Sequence, residues 1–166
     1  MTESVALCQK LSSSLFGVLA LTPLLASAAT TVTVKVRVVA PPPCVINGDK
    51  VIDVDFGSNV VTTKVDGVNN LQTLNYTLEC QNYTSNAMKL QVKGTPMAFD
   101  GSALQTNVAD FGIALRADGQ PLMINKWLNF TYPSKPVLQA VPVKKAGATL
   151  NSGSFSAGAT LMVDYQ

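Results

Sequence analysis

Near its N-terminus the chain reads Thr31-Val32-Thr33-Val34-Lys35-Val36-Arg37-Val38-Val39. Its valines alternate with threonine, lysine and arginine, which is the period-two pattern of a strand with one buried face. The next residues, Ala40-Pro41-Pro42-Pro43, remove three consecutive amide donors and keep the chain extended, so no hairpin can fold this strand back onto a neighbour. Two interpretations remain open: the first strand of an ordinary sandwich, or a strand that pairs with a different molecule.

The residues before this strand have the features of an export signal. Lys10 supplies a positive charge, residues 11–25 are apolar, and Ala26-Ser27-Ala28 is a small-x-small cleavage site. The apolar run is too short to span a bilayer. We therefore predict that residues 1–28 are a signal peptide and that the remaining residues, about 138, form one domain with a sizeable core.

The composition argues against several classes of function. A net charge of +2 lacks the strongly basic balance of a nucleic-acid-binding protein, so we expect no nucleic acid partner. The chain has no histidine, which removes the Ser-His-Asp and Cys-His nucleophile systems and histidine-ligated metals. Since no set of nucleophile, base and orienting group can be assembled, we predict no enzyme activity, no cofactor and no metal site.

Two cysteines, Cys44 and Cys80, remain once the predicted signal peptide is set aside. In an exported protein such a pair is more typical of a disulfide than of a metal site, and two free thiols are the alternative.

Short apolar runs separated by Gly, Asn, Asp and Pro predict an all-β sandwich. The predicted strands begin at Cys44 and continue over residues 51–56, 60–65, 74–80, 88–92, 111–115, 121–124 and 137–143. Asp118-Gly119 predicts a hairpin turn, and Pro136 and Pro142 predict that the strand 137–143 lies near a sheet edge.

The last segment alternates as regularly as the first. After Gly153 one parity carries Phe155, Ala157, Ala159, Leu161, Val163 and Tyr165. A strand this long and regular leaves one of its sides unpaired unless something covers it. The chain thus has an alternating strand near each end.

Three smaller features each have a functional and a structural interpretation. Asp53 and Asp55 point the same way and could take part in metal or acid–base chemistry, although a solvated strand face is favoured. Trp127 could stack on a sugar, although a core position is favoured. Lys144-Lys145 is predicted to be a solvated turn, with alignment of a partner as the alternative.

Together these features resemble the pilins of chaperone-usher fimbriae, in particular the minor tip subunits of P and type 1 pili. Each matching element is weak alone, and the resemblance depends on their order over the whole mature chain. The matching elements are Pro42-Pro43-Cys44, Val54-Asp55-Phe56-Gly57, Leu78-Glu79-Cys80, Gly112-Ile113-Ala114-Leu115 before a DG turn, Gly153 fourteenth from the C-terminus, and the penultimate Tyr165.

The resemblance implies an incomplete immunoglobulin-like β-sandwich, the pilin fold, which a donor strand from another subunit completes. Residues 29–43 would be an N-terminal donor-strand extension and residues 44–166 the pilin domain. The donor residues would be Val32, Val34, Val36 and Val38. The edge that accepts the chaperone or donor strand would carry Gly153, Phe155, Ala157, Ala159, Leu161, Val163 and Tyr165.

The resemblance also implies partners. A periplasmic pilus chaperone would lend a strand first, and the extension of a neighbouring pilin subunit would replace it at the outer-membrane usher. We therefore predict a structural minor subunit of an adhesive fimbrium, exported through the periplasm to the cell surface, that links neighbouring subunits in cell adhesion. The alternatives are a major rod pilin and a self-contained secreted β-sandwich that binds a carbohydrate or a protein.

One departure from the family concerns the donor register. The family usually has a glycine inside the donor segment, where this chain has Lys35-Val36-Arg37. A shift by one residue would turn both charges into the groove, and burying an unpaired charge is costly. We therefore expect the register in which the valines face the groove.

Overall fold

A computed structural model of the chain describes residues 44–58 and 60–166. The predicted signal peptide and the predicted donor extension, with Val32, Val34, Val36 and Val38, lie outside the described residues.

The described residues form an all-β structure, as the sequence predicts, with two short 3-10 turns at Asn47–Asp49 and Thr62–Lys64. The strands are β1 (Cys44–Ile46), β2 (Gln72–Thr73), β3 (Leu78–Cys80), β4 (Ala87–Lys93), β5 (Ala103–Gln105), β6 (Phe111–Ala117), β7 (Gln120–Pro121), β8 (Leu128–Thr131), β9 (Leu138–Lys144) and β10 (Thr160–Tyr165).

The strands form three antiparallel sheets. The largest has the order β2-β9-β6-β5, with β7 also paired to β6; the second has the order β10-β4-β8, and β1 pairs with β3. The core contains alternate residues of β4, β6 and β9, which pack in one cluster. Met88, Leu90 and Leu138 are almost completely buried in it, so the apolar parity of each strand faces the interior.

Two sequence predictions are confirmed by local geometry. The alternation in residues 74–80 buries Tyr76, Leu78 and Cys80, although only the last three residues of that run form a strand. The hairpin between β6 and β7 turns at Asp118 and Gly119, whose φ angles of 50° and 79° are those of a type I′ turn. The return strand β7 is shorter than the predicted 121–124, although Leu122 and Ile124 are buried.

Two predicted strands are wrong. Residues 51–56 join no strand ladder within the described chain, and residues 60–65 contain the 3-10 turn Thr62–Lys64 instead. In residues 51–56 the predicted alternation is nevertheless present, because Ile52, Val54 and Phe56 pack against the core while Asp53 and Asp55 are exposed. Alternation reports which side chains are buried, whereas a strand ladder also needs a paired backbone.

The predicted edge position of residues 137–143 is also wrong, because β9 lies between β2 and β6. Its proline is tolerated for a local reason: β2 pairs only with Gln139 and Ala140. The carbonyl of Pro142 accepts a hydrogen bond from the Gly67 amide (3.1 Å) beyond the end of β2. The missing N–H of Pro142 points to the same side, where no strand needs it.

Candidate functional site

A long groove opens along the described domain, with a volume of about 1110 Å³. One wall is formed by residues 49–58 and the other by residues 150–161. Its floor is apolar and comes from both large sheets, through Val92, Leu104, Ile113, Leu115 and Leu138. A groove of this length and chemistry suits an extended segment better than a compact polar ligand.

The first wall is the extended segment that follows β1. Ile52, Val54 and Phe56 turn toward the core, and Asp53 and Asp55 turn toward solvent. The Asp55 carboxylate accepts a hydrogen bond from the Gly57 amide at 2.7 Å, which fixes the end of the segment. Both carboxylates therefore stand on the outer side of the wall, as the favoured interpretation of the sequence expects.

The second wall contains most of the sequence-predicted acceptor residues. Gly153, Phe155, Ala157, Ala159 and Leu161 line the groove, whereas Val163 and Tyr165 do not line it and pack against the core. The predicted single strand from 155 to 165 is shorter than expected, because only Thr160–Tyr165 forms β10. Gly153 has a φ of 155°, a backbone conformation that favours glycine.

Phe155 connects the two walls of the groove. Its ring centroid lies 4.7 Å from that of Phe111 in an edge-on contact and 5.8 Å from that of Phe56 on the opposite wall. The contact to Phe56 therefore spans the groove from one wall to the other.

Asn107, which the sequence did not single out, holds this part of the wall. Its side-chain oxygen accepts a hydrogen bond from the Ser156 amide at 2.7 Å, and its own amide donates to the Ser156 carbonyl at 3.3 Å. Its Nδ2 donates to the Ser154 carbonyl at 3.4 Å. These bonds flank Phe155 on both sides, and they satisfy backbone groups that a strand partner would otherwise bond.

The edge of β10 borders the same groove. β10 pairs with β4 along its whole length, and no strand within residues 44–58 and 60–166 pairs with its other side. The backbone amide of Gln166 donates a hydrogen bond to the Ala87 carbonyl at 3.1 Å. The backbone groups of the even-numbered residues of β10 therefore form the hydrogen bonds to β4. The amides of Leu161 and Val163 consequently point away from β4, and an added strand could bond them.

A family comparison assigns this open-edged sandwich. Residues 30–166 match the family model described as fimbrial protein. The chain belongs to the fimbrial protein family. The subunit is therefore a component of a fimbrium on the cell surface.

Three comparisons place this fimbrial subunit more closely. It is 41% identical over 137 residues to the fimbrial-like protein YfcR of Escherichia coli strain K12, covering 80% of this chain and 78% of YfcR. It is 30% identical over 158 residues to the minor fimbrial protein PrsF of Escherichia coli, covering 86% and 93%. The structure of the P pilus adaptor subunit PapF matches with a TM-score of 0.56 at 26% identity, covering 76% of this chain and 98% of PapF. The subunit is thus related to minor and adaptor pilins.

The predicted cysteine pair of the fimbrial subunit is present as a disulfide. Cys44 and Cys80 stand directly opposite each other in the β1–β3 pair, with their Cα atoms 4.2 Å apart. Cys44 also lines the groove. The bond thus joins β1, which precedes the first wall, to the buried strand β3.

The core position favoured for Trp127 is wrong, because 42% of this side chain is exposed. Lys89 lies over its ring, 5.1 Å from the centroid, and forms an ion pair with Asp164 at 3.3 Å. The solvated turn predicted at Lys144-Lys145 holds for Lys145 only. Lys144 is the last residue of β9, is partly buried, and donates to the Thr62 carbonyl at 3.2 Å.

Within the described part of the fimbrial subunit, no helix has the length and apolar character needed to cross a membrane.

Proposed function

We propose that this fimbrial subunit is a non-catalytic minor pilin that links neighbouring subunits by donor-strand exchange. The observation that carries the proposal is the apolar groove beside the outward amides of β10. An inserted strand would bond the backbone of β10 and place alternate side chains on the groove floor. Hydrogen bonds between the two backbones would supply affinity whatever the sequence of the inserted strand, and the apolar groove floor would fix the register of that strand.

The same chain would give a strand as well as accept one. After removal of residues 1–28, residues 29–43 would be the donor extension, with its valines facing the groove of the next subunit. The prolines at 41–43 favour an extended tether before the domain begins at Cys44. A subunit that both accepts one donor strand and donates another has two neighbouring subunits.

Two further partners follow from the exposed groove. An apolar groove and an open strand edge promote aggregation until they are covered. A periplasmic chaperone would cover them first, and exchange for the donor strand would take place at the outer-membrane usher. The likeness to PrsF and PapF supports the minor linking role in an adhesive fimbrium.

The experiment uses the chain from Ala29 with Val34→Asp and Val36→Asp, which disables its own donor segment. It is refolded alone, with a peptide of residues 29–40, and with donor peptides from candidate neighbouring subunits, and thermal unfolding is followed by circular dichroism. We expect a low Tm alone and a rise of roughly 10 °C or more with a saturating donor peptide from a neighbouring subunit. An equal rise with the peptide of residues 29–40 would favour the rod-pilin alternative.

The control peptide carries the same two aspartate substitutions and should have no effect. A variant chain that is fully stable alone, with a Tm that no donor peptide raises, would show a self-contained sandwich and overturn the proposal.

A further inference from the structure

The outer face of the β10-β4-β8 sheet carries an exposed tryptophan among polar residues. One parity of each strand packs toward the core, and the other parity points away from it. Trp127 directly precedes β8, at a position of the outward parity. We call the outward surface formed by Trp127, Lys89, Gln91, Lys93, Asn129 and Asp164 the tryptophan face.

Two contacts place the indole ring of Trp127 on this face. The ammonium group of Lys89 lies over the ring, 5.1 Å from its centroid. The same ammonium group pairs with the Asp164 carboxylate at 3.3 Å, and the two residues are direct partners between β4 and β10. Because Lys89 and Asp164 both have the outward parity, the ring stands beside the middle strand of the sheet, with 42% of the side chain exposed.

The loop that carries Trp127 is held to the end of β4 by Asn125. The backbone amide of Asn125 donates to the Val92 carbonyl at 2.9 Å. Its side-chain oxygen accepts a hydrogen bond from the Gly94 amide at 3.1 Å, and its Nδ2 donates to the Gly94 carbonyl at 2.9 Å. An aromatic ring on a loop held in this way loses little conformational freedom when a ligand stacks on it.

The surroundings of the ring are basic. Lys89 and Lys93 lie two residues apart on β4, and the exposed Lys126 immediately precedes Trp127. Among the residues of β4, β8 and β10, Asp164 is the one acidic residue, and it already pairs with Lys89. A ligand that brings negative charge to this face is therefore favoured over a neutral or basic ligand.

We propose that the tryptophan face binds an acidic polysaccharide, one whose sugar rings carry carboxylate groups. The apolar face of a sugar ring would stack on Trp127, and the ammonium groups of Lys93 and Lys126 would pair with the carboxylates. The side-chain amides of Gln91 and Asn129 both donate and accept hydrogen bonds, which suits sugar hydroxyl groups. The proposal does not rest on donor-strand exchange, because the groove floor lies on the opposite side of this sheet.

The expected affinity follows from the shape and exposure of the face. An open surface covers less of a sugar than a cleft does, so the Kd should be on the order of 1 mM. Loss of a central aromatic side chain should weaken binding by about 10-fold or more. Two exposed charge pairs should contribute about 3- to 10-fold at low salt, and that contribution should fade in 0.5 M salt.

The first test uses the fluorescence of Trp127, which is the only tryptophan of the chain and so reports on this face alone. The chain from Ala29, with a saturating donor peptide if that peptide raises its Tm, is titrated with a hyaluronan hexasaccharide, in which glucuronate alternates with neutral N-acetylglucosamine. We expect a saturable change. The neutral N-acetylglucosamine hexamer should bind about 3- to 10-fold more weakly at low salt, and a glutamate peptide or oligothymidylate more weakly than the acidic sugar.

The second test compares variants by NMR titration with the same hexasaccharide, since Trp127→Ala removes the fluorescence. Trp127→Ala should bind about 10-fold more weakly or worse, and Trp127→Tyr should retain most of the affinity. Lys93→Gln, Lys126→Gln should bind about 3- to 10-fold more weakly at low salt and equally in 0.5 M salt. The matched control Lys64→Gln, Lys145→Gln removes the same charge outside this sheet and should leave the affinity unchanged.

The outcomes decide both the place and the class of ligand. Unchanged binding by Trp127→Ala, or no binding of the acidic sugar, would overturn the site. Equal affinity for the neutral hexamer, or tighter binding of the glutamate peptide or of oligothymidylate, would overturn the assignment to an acidic polysaccharide. Each of these results would leave donor-strand exchange standing.

Discussion

Asn107 is a single residue on which the shape of the groove depends. Its backbone and side chain bond Ser154 and Ser156, and so fix Phe155 between the two walls. Asn107→Ala should lower the free energy of unfolding of the donor-bound chain by about 1 kcal/mol, because the side-chain bonds are lost. It should also speed hydrogen exchange at residues 154–156. Asn75→Ala, at another exposed asparagine, serves as the control in urea unfolding, and equal effects of the two variants would contradict this role.

Tyr76 is a residue through which the stability of the domain should fall at alkaline pH. Its side chain is 5% exposed, and its hydroxyl donates to the Pro136 carbonyl at 2.7 Å. Burial, with a smaller contribution from the negative charge of Asp118, raises the pKa of Tyr76 to about 12. In the unfolded chain the pKa is about 10, so the folded state favours the neutral phenol.

The stability that this shift provides is complete below about pH 10 and is lost progressively as the pH rises toward about 12. Urea unfolding of the donor-bound chain between about pH 9 and 11.5 should show that loss. Tyr76→Phe should be less stable near neutral pH, by about 1 kcal/mol, and should show a smaller decline in this range. An equal decline in the stability of the wild-type chain and of Tyr76→Phe over this pH range would contradict the role given to Tyr76.

At the scale of elements, the sequence predicts β4 and the β6–β7 hairpin because each has a paired neighbour within the same chain. It overestimates residues 51–56 because their side-chain alternation is real but their backbone joins no strand ladder. It overestimates residues 154–159 because the backbone groups of Ser154 and Ser156 bond Asn107 instead of a strand. It misses β5 and β8, whose three and four residues are too short for a periodic signal.

The element-scale prediction concerns the two groove walls. Addition of the donor peptide should slow hydrogen exchange of the Leu161 and Val163 amides, which point away from β4, and of amides in residues 51–56. Amides between β6 and β9 are already paired and should change much less. Residue-resolved exchange with and without peptide measures this. Equal protection throughout the chain would indicate global stabilisation without insertion beside β10.

At the scale of the whole molecule, the groove combines residues that are far apart in sequence. Its walls come from both ends of the domain and its floor from β4, β5, β6 and β9. The alternation of each wall could be predicted locally, and the resemblance to pilins joined the two. Asn107 and Phe111 could not be predicted as neighbours of Phe155, because no local pattern connects residues this far apart in the sequence.

The disulfide is the covalent link in this arrangement, because it joins β1, which leads into the first wall, to the buried strand β3. It closes a loop between residues 36 positions apart, which in the chain-entropy account stabilises the fold by roughly 3 to 4 kcal/mol.

Replacing Cys44 and Cys80 by alanine should lower the free energy of unfolding of the donor-bound chain by about that amount. It should also weaken peptide binding, because β1 leads directly into the first wall of the groove. Urea unfolding and peptide titration of the same variant measure the two effects. A loss of stability with unchanged peptide affinity would show that the disulfide stabilises the fold but does not position the groove wall.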